Sequence, residues 1–211
     1  MFDAKRYLEY EEGFTRFNEL SFVLEAGEGN VMLSAPHAVE QTRKGRIKYA
    51  EPQTGALVKM LRDELKCPII YKTRNCGDDA NFDSTCDYKS AIVEYVQKNE
   101  IQLLLDLHQL SPSRELLVDV GTGNMQNVIK REYLDITLQS FFDRGIANVQ
   151  VDKLFNAKGL NTISSYVARC CNITCLQLEM HSNLVRFGYT ESNVEGVYEA
   201  LKKIIQTVGK K

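Results

Sequence analysis

Apolar and polar residues along this chain follow two alternating rhythms. Apolar runs of strand length fall at Val31–Ala35, Pro68–Lys72, Ile101–Leu107, Glu115–Val120, Asn148–Asp152 and Ile173–Met180. Between most of them, apolar residues recur at helical spacing. Thr54–Leu65 places Leu57, Val58, Leu61 and Leu65 on one face, and Tyr88–Lys98 gathers Ile92, Val93 and Val96. Asn127–Phe142 carries Val128, Tyr133, Ile136, Leu138 and Phe141, and Thr162–Cys170 is a shorter helix. Glu191–Val208 is a long amphipathic segment with Val194, Val197, Leu201, Ile204 and Ile205 on one side. Strands apolar on both faces, separated by helices, predict an α/β fold with a mainly parallel sheet covered on both sides. Leu103–Leu105 and Cys175–Leu178 read as central strands. Glu115–Val120 follows a strand with no helix between, so it pairs antiparallel or lies at an edge.

Length and composition narrow the class. A chain of 211 residues suits one domain with a sizeable core, here spanning residues 1–211. Apolar content of 44%, charged content of 26% and a net charge of −2 are ordinary for a soluble protein and argue against general affinity for nucleic acid or acidic membranes. No apolar stretch approaches a membrane span, and the first residues, Met1 to Glu12, have no signal-peptide core. A cytoplasmic protein is therefore the expectation, with the oligomeric state left open. The six cysteines form no C-x-x-C pair, so they read as reduced thiols in small apolar roles.

Candidate chemistry gathers where strands should run out into loops, the usual place for ligands in open α/β sheets. His37-Ala-Val-Glu40 follows the run Val31–Pro36, and His108 ends the run from Ile101. The chain has only three histidines, so two at such places call for a reason. Two imidazoles and a carboxylate are the ligand set of a catalytic zinc site, with one position left for water or substrate. Asp106, two residues before His108, shares its strand face and suits an acceptor behind a ligand histidine. Glu179 stands in the otherwise apolar Thr174–Met180, where an ionised carboxylate needs a partner or a task. Beside a metal it could take a proton from water and pass it to a leaving amine. Arg74, after Pro68–Lys72, could stabilise an oxyanion. Arg43, Arg46, Arg114 and Arg186 are further cations able to hold a substrate carboxylate. His181 shares the side of Glu179 and could assist.

Four segments then resemble a known family. Ser34-Ala-Pro-His-Ala38, the Arg74 segment with acidic residues and Asn81 behind it, Leu105-Asp-Leu-His108 and Leu176-Gln-Leu-Glu-Met180 occur in the order seen in N-formylglutamate amidohydrolases. Those proteins are similar in their metal site to zinc carboxypeptidases and to the aspartoacylase and succinylglutamate desuccinylase group. The resemblance implies a three-layer αβα, carboxypeptidase-like fold and a zinc-dependent amide hydrolase with one Zn2+ per chain. Carried over by position, His37, Glu40 and His108 would bind the metal, Glu179 would be the general acid/base, and Arg74 would polarise the scissile carbonyl. Arg43, Arg114 and Asn81 are the residues expected to bind substrate. One departure stands out. The family places an arginine for the substrate carboxylate directly after its asparagine, and here Asn81 is followed by Phe82.

Three functions follow as expectations. The first is a hydrolase of a small N-acyl amino acid or short peptide, with Mn, Fe or Co also suited to the ligand types. The second is a catalytically degenerate relative that binds a ligand or protein partner, motivated by Phe82. The third, phosphate or nucleotide binding at Gly121-Thr-Gly-Asn124, is weak because that turn lacks both glycine-rich phosphate patterns.

Overall fold

The computed structural model describes residues 2–12, 20–187 and 191–209. In chain order the elements are α1 (Ala4–Glu12), β1 (Phe22–Glu25), β2 (Val31–Ala35), β3 (Gln41–Arg43), β4 (Arg46–Lys48), α2 (Pro52–Leu65), β5 (Ile69–Lys72) and α3 (Asp87–Lys98). They continue as β6 (Leu103–Leu110), β7 (Val118–Gly121), α4 (Arg131–Phe142), β8 (Val149–Val151), α5 (Ile163–Cys171), β9 (Thr174–His181), α6 (Ser182–Val185) and α7 (Glu191–Val208). Seven strands form one sheet in the order β1-β5-β2-β6-β9-β7-β8. β5, β2, β6 and β9 run parallel, while β1 and β7 join them antiparallel. β8 pairs parallel with β7 at the edge. The expected α/β architecture is present, β6 and β9 are central, and the strand expected to be antiparallel or marginal is the antiparallel β7.

The period of two explains both the core and the site. Val31, Leu33, Leu103, Leu105, Leu107, Leu176, Leu178 and Met180 all face one side of the sheet and pack with residues of α2, α4 and α7. The other side carries Met32, Ile70, Leu104 and Cys175, packed with residues of α3 and α5. Farther along on that second side, Asp106 and His108 continue the face of Leu104 on β6, and Gln177 and Glu179 continue that of Cys175 on β9. One face thus changes from apolar to polar partway along the central strands. The polar half is where β6 and β9 approach their carboxyl ends.

Several elements lay beyond the sequence pattern. α1 and β1 were not expected, and neither was the hairpin β3–β4. Its two-residue turn is Lys44-Gly45, with φ of 51° and 71°. Such a pair of positive φ values suits the twist of a tight hairpin. The helix expected over Asn127–Phe142 begins only at Arg131. Before it, the Asn127 carbonyl accepts from the Cys175 N–H, and the amides of Ile129 and Lys130 donate to Thr174 Oγ1. The segment serves the start of β9 instead of helical bonds.

The loop after β8 lies flush on β7. A Cβ added at Gly121 would sit 2.5 Å from the Phe155 carbonyl oxygen. Backbone offers no flexible end to move aside, so Gly121→Ala should destabilise the fold by about 2 kcal/mol. For a domain of this size that lowers Tm by roughly 5 °C, read by thermal unfolding. An unchanged Tm would mean that the loop does not pack on the strand in this way.

Candidate metal centre and cleft

His37 emerges from the end of β2, and the chain then leaves for the β3–β4 hairpin before returning at Glu51. The return is closed by backbone, since the Glu51 N–H donates to the His37 carbonyl at 2.7 Å. Glu51 sits at the N-terminus of α2, with Pro52 in the first helical turn and Thr54 Oγ1 donating to the Glu51 carbonyl. Proline is pre-set for that turn and lacks only an N–H that would have no partner there. The Glu51 carboxylate is thereby delivered beside His37. Its Oε1 lies 3.2 Å from His37 Nδ1, and its Oε2 lies 3.6 Å from His108 Nδ1. Oε2 also accepts from the Gln109 N–H at 3.0 Å.

The two imidazoles face each other, with Nδ1 3.2 Å from Nδ1. Behind each ring stands a fully buried carboxylate. His37 Nε2 is 3.1 Å from Asp79 Oδ1, and His108 Nε2 is 3.1 Å from Asp106 Oδ2. Those partners place the ring protons on Nε2, which leaves two Nδ1 lone pairs directed at one another and at a carboxylate. That arrangement is self-repelling unless a cation or a proton lies between the rings. One donor atom each from His37, Glu51 and His108 lie within 4.8 Å of one another. Two imidazoles, one carboxylate and a carboxylate behind each ring fit a zinc-type divalent ion.

Charge accounts for the ionisation of the group. Burial opposes charge on His37, but Glu51 and the bond to Asp79 outweigh it and raise its pKa. His108 is likewise disfavoured as a cation by burial yet raised well above its ordinary value, chiefly by Asp106 and Glu51. Burial would push Glu51 up, and the two histidines instead hold it down at about 2. Glu179 behaves oppositely. It is opposite His108 in the β6–β9 register and only 7% exposed, and burial drives its carboxyl up to about 7 despite the neighbouring histidines. Gln177 Nε2 donates to its Oε1 at 2.9 Å. A carboxyl titrating near neutrality is suited to both accepting and returning a proton.

These groups line a cleft of about 390 Å³, together with Arg43, Lys48, Asn81, Phe82 and the loop from Leu154 to Gly159. Asn81 Nδ2 lies 3.3 Å from His108 Nε2, and its Oδ1 accepts the Ile163 N–H that opens α5. The loop bearing Asp79 and Asn81 is pinned by two buried lysines. Lys72 Nζ donates to both Asp78 oxygens at 2.9 and 2.8 Å, and Lys89 Nζ to the Asp83 carbonyl.

Of the residues expected from sequence, the structure brings His37, His108, Glu179, Arg43 and Asn81 to one cleft, with Asp106 behind His108. Glu40 is exposed and outside the His37–His108 group, and Glu51 supplies the carboxylate there instead. The hairpin inserted after Glu40 is the physical reason, since it turns residue 40 outward and returns a later glutamate. Arg74 is exposed and does not line the cleft. Arg114 does not line it, but its guanidinium lies 6.0 Å from the centre of the Phe155 ring, which does. Arg46 and Arg186 are exposed. His181 is buried and caps α6, its Nδ1 accepting from the Asn183 N–H. Sequence reasoning missed Glu51, Asp79, Gln177 and Lys48. Glu51-Pro52 ahead of a helical pattern was a readable helix start, though not a readable ligand.

The fold and the paired histidines define an α/β protein of carboxypeptidase-like architecture with a His-Glu-His group able to hold a metal. By sequence, the chain matches no family model and no curated protein. By structure, it is similar to N-formylglutamate amidohydrolase from Ralstonia eutropha JMP134, with a TM-score of 0.62 at 11% identity over 90% of this chain and 98% of that one. It is also similar to a bacteriophage poly-gamma-glutamate hydrolase, with a TM-score of 0.59 at 13% identity over 93% and 94%. A metallo-carboxypeptidase from Burkholderia cenocepacia matches at 0.56 and 14% identity, over 98% of this chain and 70% of that one. These likenesses establish the fold. Among the described residues, no helix is long and apolar enough to cross a membrane.

Two outcomes follow from the geometry. Glu51→Gln should weaken Zn2+ binding by about a hundredfold or more, and Glu40→Gln should leave it within about twofold, read by competition with a chromophoric chelator. The reverse pattern would return the ligand role to Glu40. The second concerns Glu179 in the metal-free protein. Its pKa rises from 4.5 to about 7 on folding, so its contribution to stability is complete below pH 4.5 and is lost as pH climbs through 7. Glu179→Gln removes that loss. Denaturant titrations should show the variant gaining roughly 3 kcal/mol on the wild type between pH 4.5 and pH 8. A constant difference across that window would show that Glu179 ionises normally.

Proposed function

We propose that the chain is a metal-dependent hydrolase of an amide bond in a small N-acyl amino acid or short peptide. The observation that carries this is the meeting, in one cleft, of the His37–Glu51–His108 group with the buried carboxyl of Glu179. His37, Glu51 and His108 would hold the ion, and zinc suits them, as do manganese, iron and cobalt. When bound there, such an ion supplies Lewis acidity to a carbonyl oxygen and to water.

The remaining work falls to the chain. Asp79 and Asp106 keep the two imidazoles in one tautomer and one orientation. Glu179 takes a proton from water and returns it to the departing amine nitrogen, and Gln177 fixes which oxygen is presented. Arg43 comes from the hairpin, not from the position after Asn81. Its Nε donates to Asp79 Oδ2 at 2.7 Å, and its guanidinium carbon lies 5.0 Å from the centre of the Phe82 ring. The guanidinium thus stands beside the residue that replaces the family's arginine, with its terminal nitrogens available to a substrate carboxylate. Lys48 adds a second cation on the same hairpin. Arg74 is a weaker candidate for the carbonyl-polarising role, because Arg43 is the guanidinium that lines the cleft.

The test is a hydrolysis screen of zinc-reloaded protein against N-acyl-glutamates, N-acyl-aspartates and γ-glutamyl peptides, with release of free amine as the readout. Activity should require the metal. Glu179→Gln should lower kcat at least a hundredfold with zinc still bound, whereas His108→Ala should lose zinc and activity together. Zinc-loaded protein that hydrolyses none of these amides would overturn the proposal.

A further inference from the structure

The loop after β8 presents two apolar side chains, Leu154 and Phe155, to the cleft beside Lys158, and the Arg114 guanidinium lies 6.0 Å from the Phe155 ring centre. The loop backbone is held by polar bonds. The buried carboxylate of Asp119 accepts the N–H groups of Lys153, Leu154 and Phe155. The Gly123 N–H donates to the Asn156 carbonyl at 2.6 Å, and Asn127 Nδ2 donates to the Ala157 carbonyl at 3.2 Å. Despite this fixed frame, Leu154 and Phe155 remain 41% and 39% exposed, and both line the cleft. Single exposed apolar residues are normal on a surface. Two neighbours held rigidly at a cleft wall are a ready subsite, because the ordering cost of the loop is already met by the fold.

The opposite flank carries two cations, one of them a guanidinium fork. Arg43 and Lys48 belong to the hairpin that follows β2, whereas Leu154 and Phe155 follow β8. His108 on β6 and Glu179 on β9 lie between them in the sheet order. An amide placed at Glu179 therefore has Arg43 and Lys48 on one side and, on the other, a loop that offers Leu154 and Phe155 beside Lys158. In an N-acyl amino acid the carboxylate belongs to the amine half, so a carboxylate held by the forked Arg43 guanidinium turns the acyl half toward Leu154 and Phe155. A cleft of about 390 Å³ also leaves room beyond a formylated amino acid.

We infer that the acyl group of the substrate is apolar, a hydrocarbon or aromatic chain seated on Leu154 and Phe155, in place of formyl or another small polar acyl group. The inference rests on the hydrolase reading for its orientation, and one experiment separates the two. N-formyl, N-butanoyl, N-hexanoyl and N-benzoyl derivatives of one acidic amino acid are compared, by kcat/KM on zinc-loaded wild type and by calorimetric binding to Glu179→Gln. Both quantities should rise about two- to threefold per methylene added. Phe155→Ser should flatten that rise, and Phe155→Leu should keep most of it. Hydrolysis with no dependence on acyl length would overturn the apolar subsite and leave the hydrolase reading standing. Binding that strengthens with acyl length and depends on Phe155, without hydrolysis, would do the reverse. Binding independent of acyl length overturns the subsite whether or not hydrolysis occurs.

Discussion

The structure around the cleft depends on two imidazole rings held 3.2 Å apart, Nδ1 to Nδ1, and almost fully buried at the floor of that cleft. Left alone, two neutral histidines in that pose would repel through their lone pairs, and two charged ones would repel more strongly. Four carboxylates surround them and do different work. Asp79 and Asp106 fix the ring protons on the far side, Glu51 faces the near side, and Glu179 stands opposite His108 on the next strand. The cluster is balanced only when positive charge occupies the space between the rings. In the metal-free chain the surrounding carboxylates raise both histidine pKa values, and protons supply that charge. A divalent cation would supply it with the rings in their ligating form, so metal uptake would be linked to proton release by charge balance.

The fold makes this tolerable by confining the polarity to one half of one sheet face. β6 and β9 contribute Leu103, Leu105, Leu107, Leu176, Leu178 and Met180 to the other face, and those residues anchor the strands whatever happens opposite them. On the site face, the change from Leu104 to Asp106 and His108, and from Cys175 to Gln177 and Glu179, occurs in step on neighbouring strands. The register sets His108 against Glu179, so these two residues are adjacent without any loop placing them. Loops then contribute only what strands cannot. Glu51 comes from a helix start, Asp79 and Asn81 from a lysine-pinned loop, and Arg43 from a hairpin.

Much of this was legible in the residues themselves. Alternation of apolar strands and helices predicted the sheet, its covered faces and its two central strands. The placing of His37, Asp106, His108 and Glu179 at strand ends predicted most of the centre. What escaped was whatever depended on a return of the chain. Glu40 satisfied the H-x-x-E spacing, but it leads outward into a hairpin too short to show a period-two pattern, and the chain returns to His37 only at Glu51. Asp79 was hidden among several acidic residues, distinguished only by burial. α1 and β1 are short and weakly patterned, and their places are set by packing against α2 and pairing with β5 rather than by propensity.

Phe82 shows how the two kinds of information combine. Read alone, a phenylalanine after Asn81 removes the cation expected for a substrate carboxylate. In space, the Arg43 guanidinium lies over that ring, and its Nε is bonded to the same carboxylate that orients His37. Asp79 therefore bridges the hairpin cation and the imidazole, one oxygen to each. Two positive partners keep it ionised well below the usual carboxylate range, although burial alone would raise it. The geometry of the metal group and the position of the substrate-facing cation consequently share one buried anion. Under the proposed hydrolase function, a change in the hairpin that displaced Arg43 would alter the electron density on His37 as well as the grip on substrate. Asp79 would then couple specificity to metal binding, with the Phe82 ring as the surface on which the Arg43 guanidinium rests.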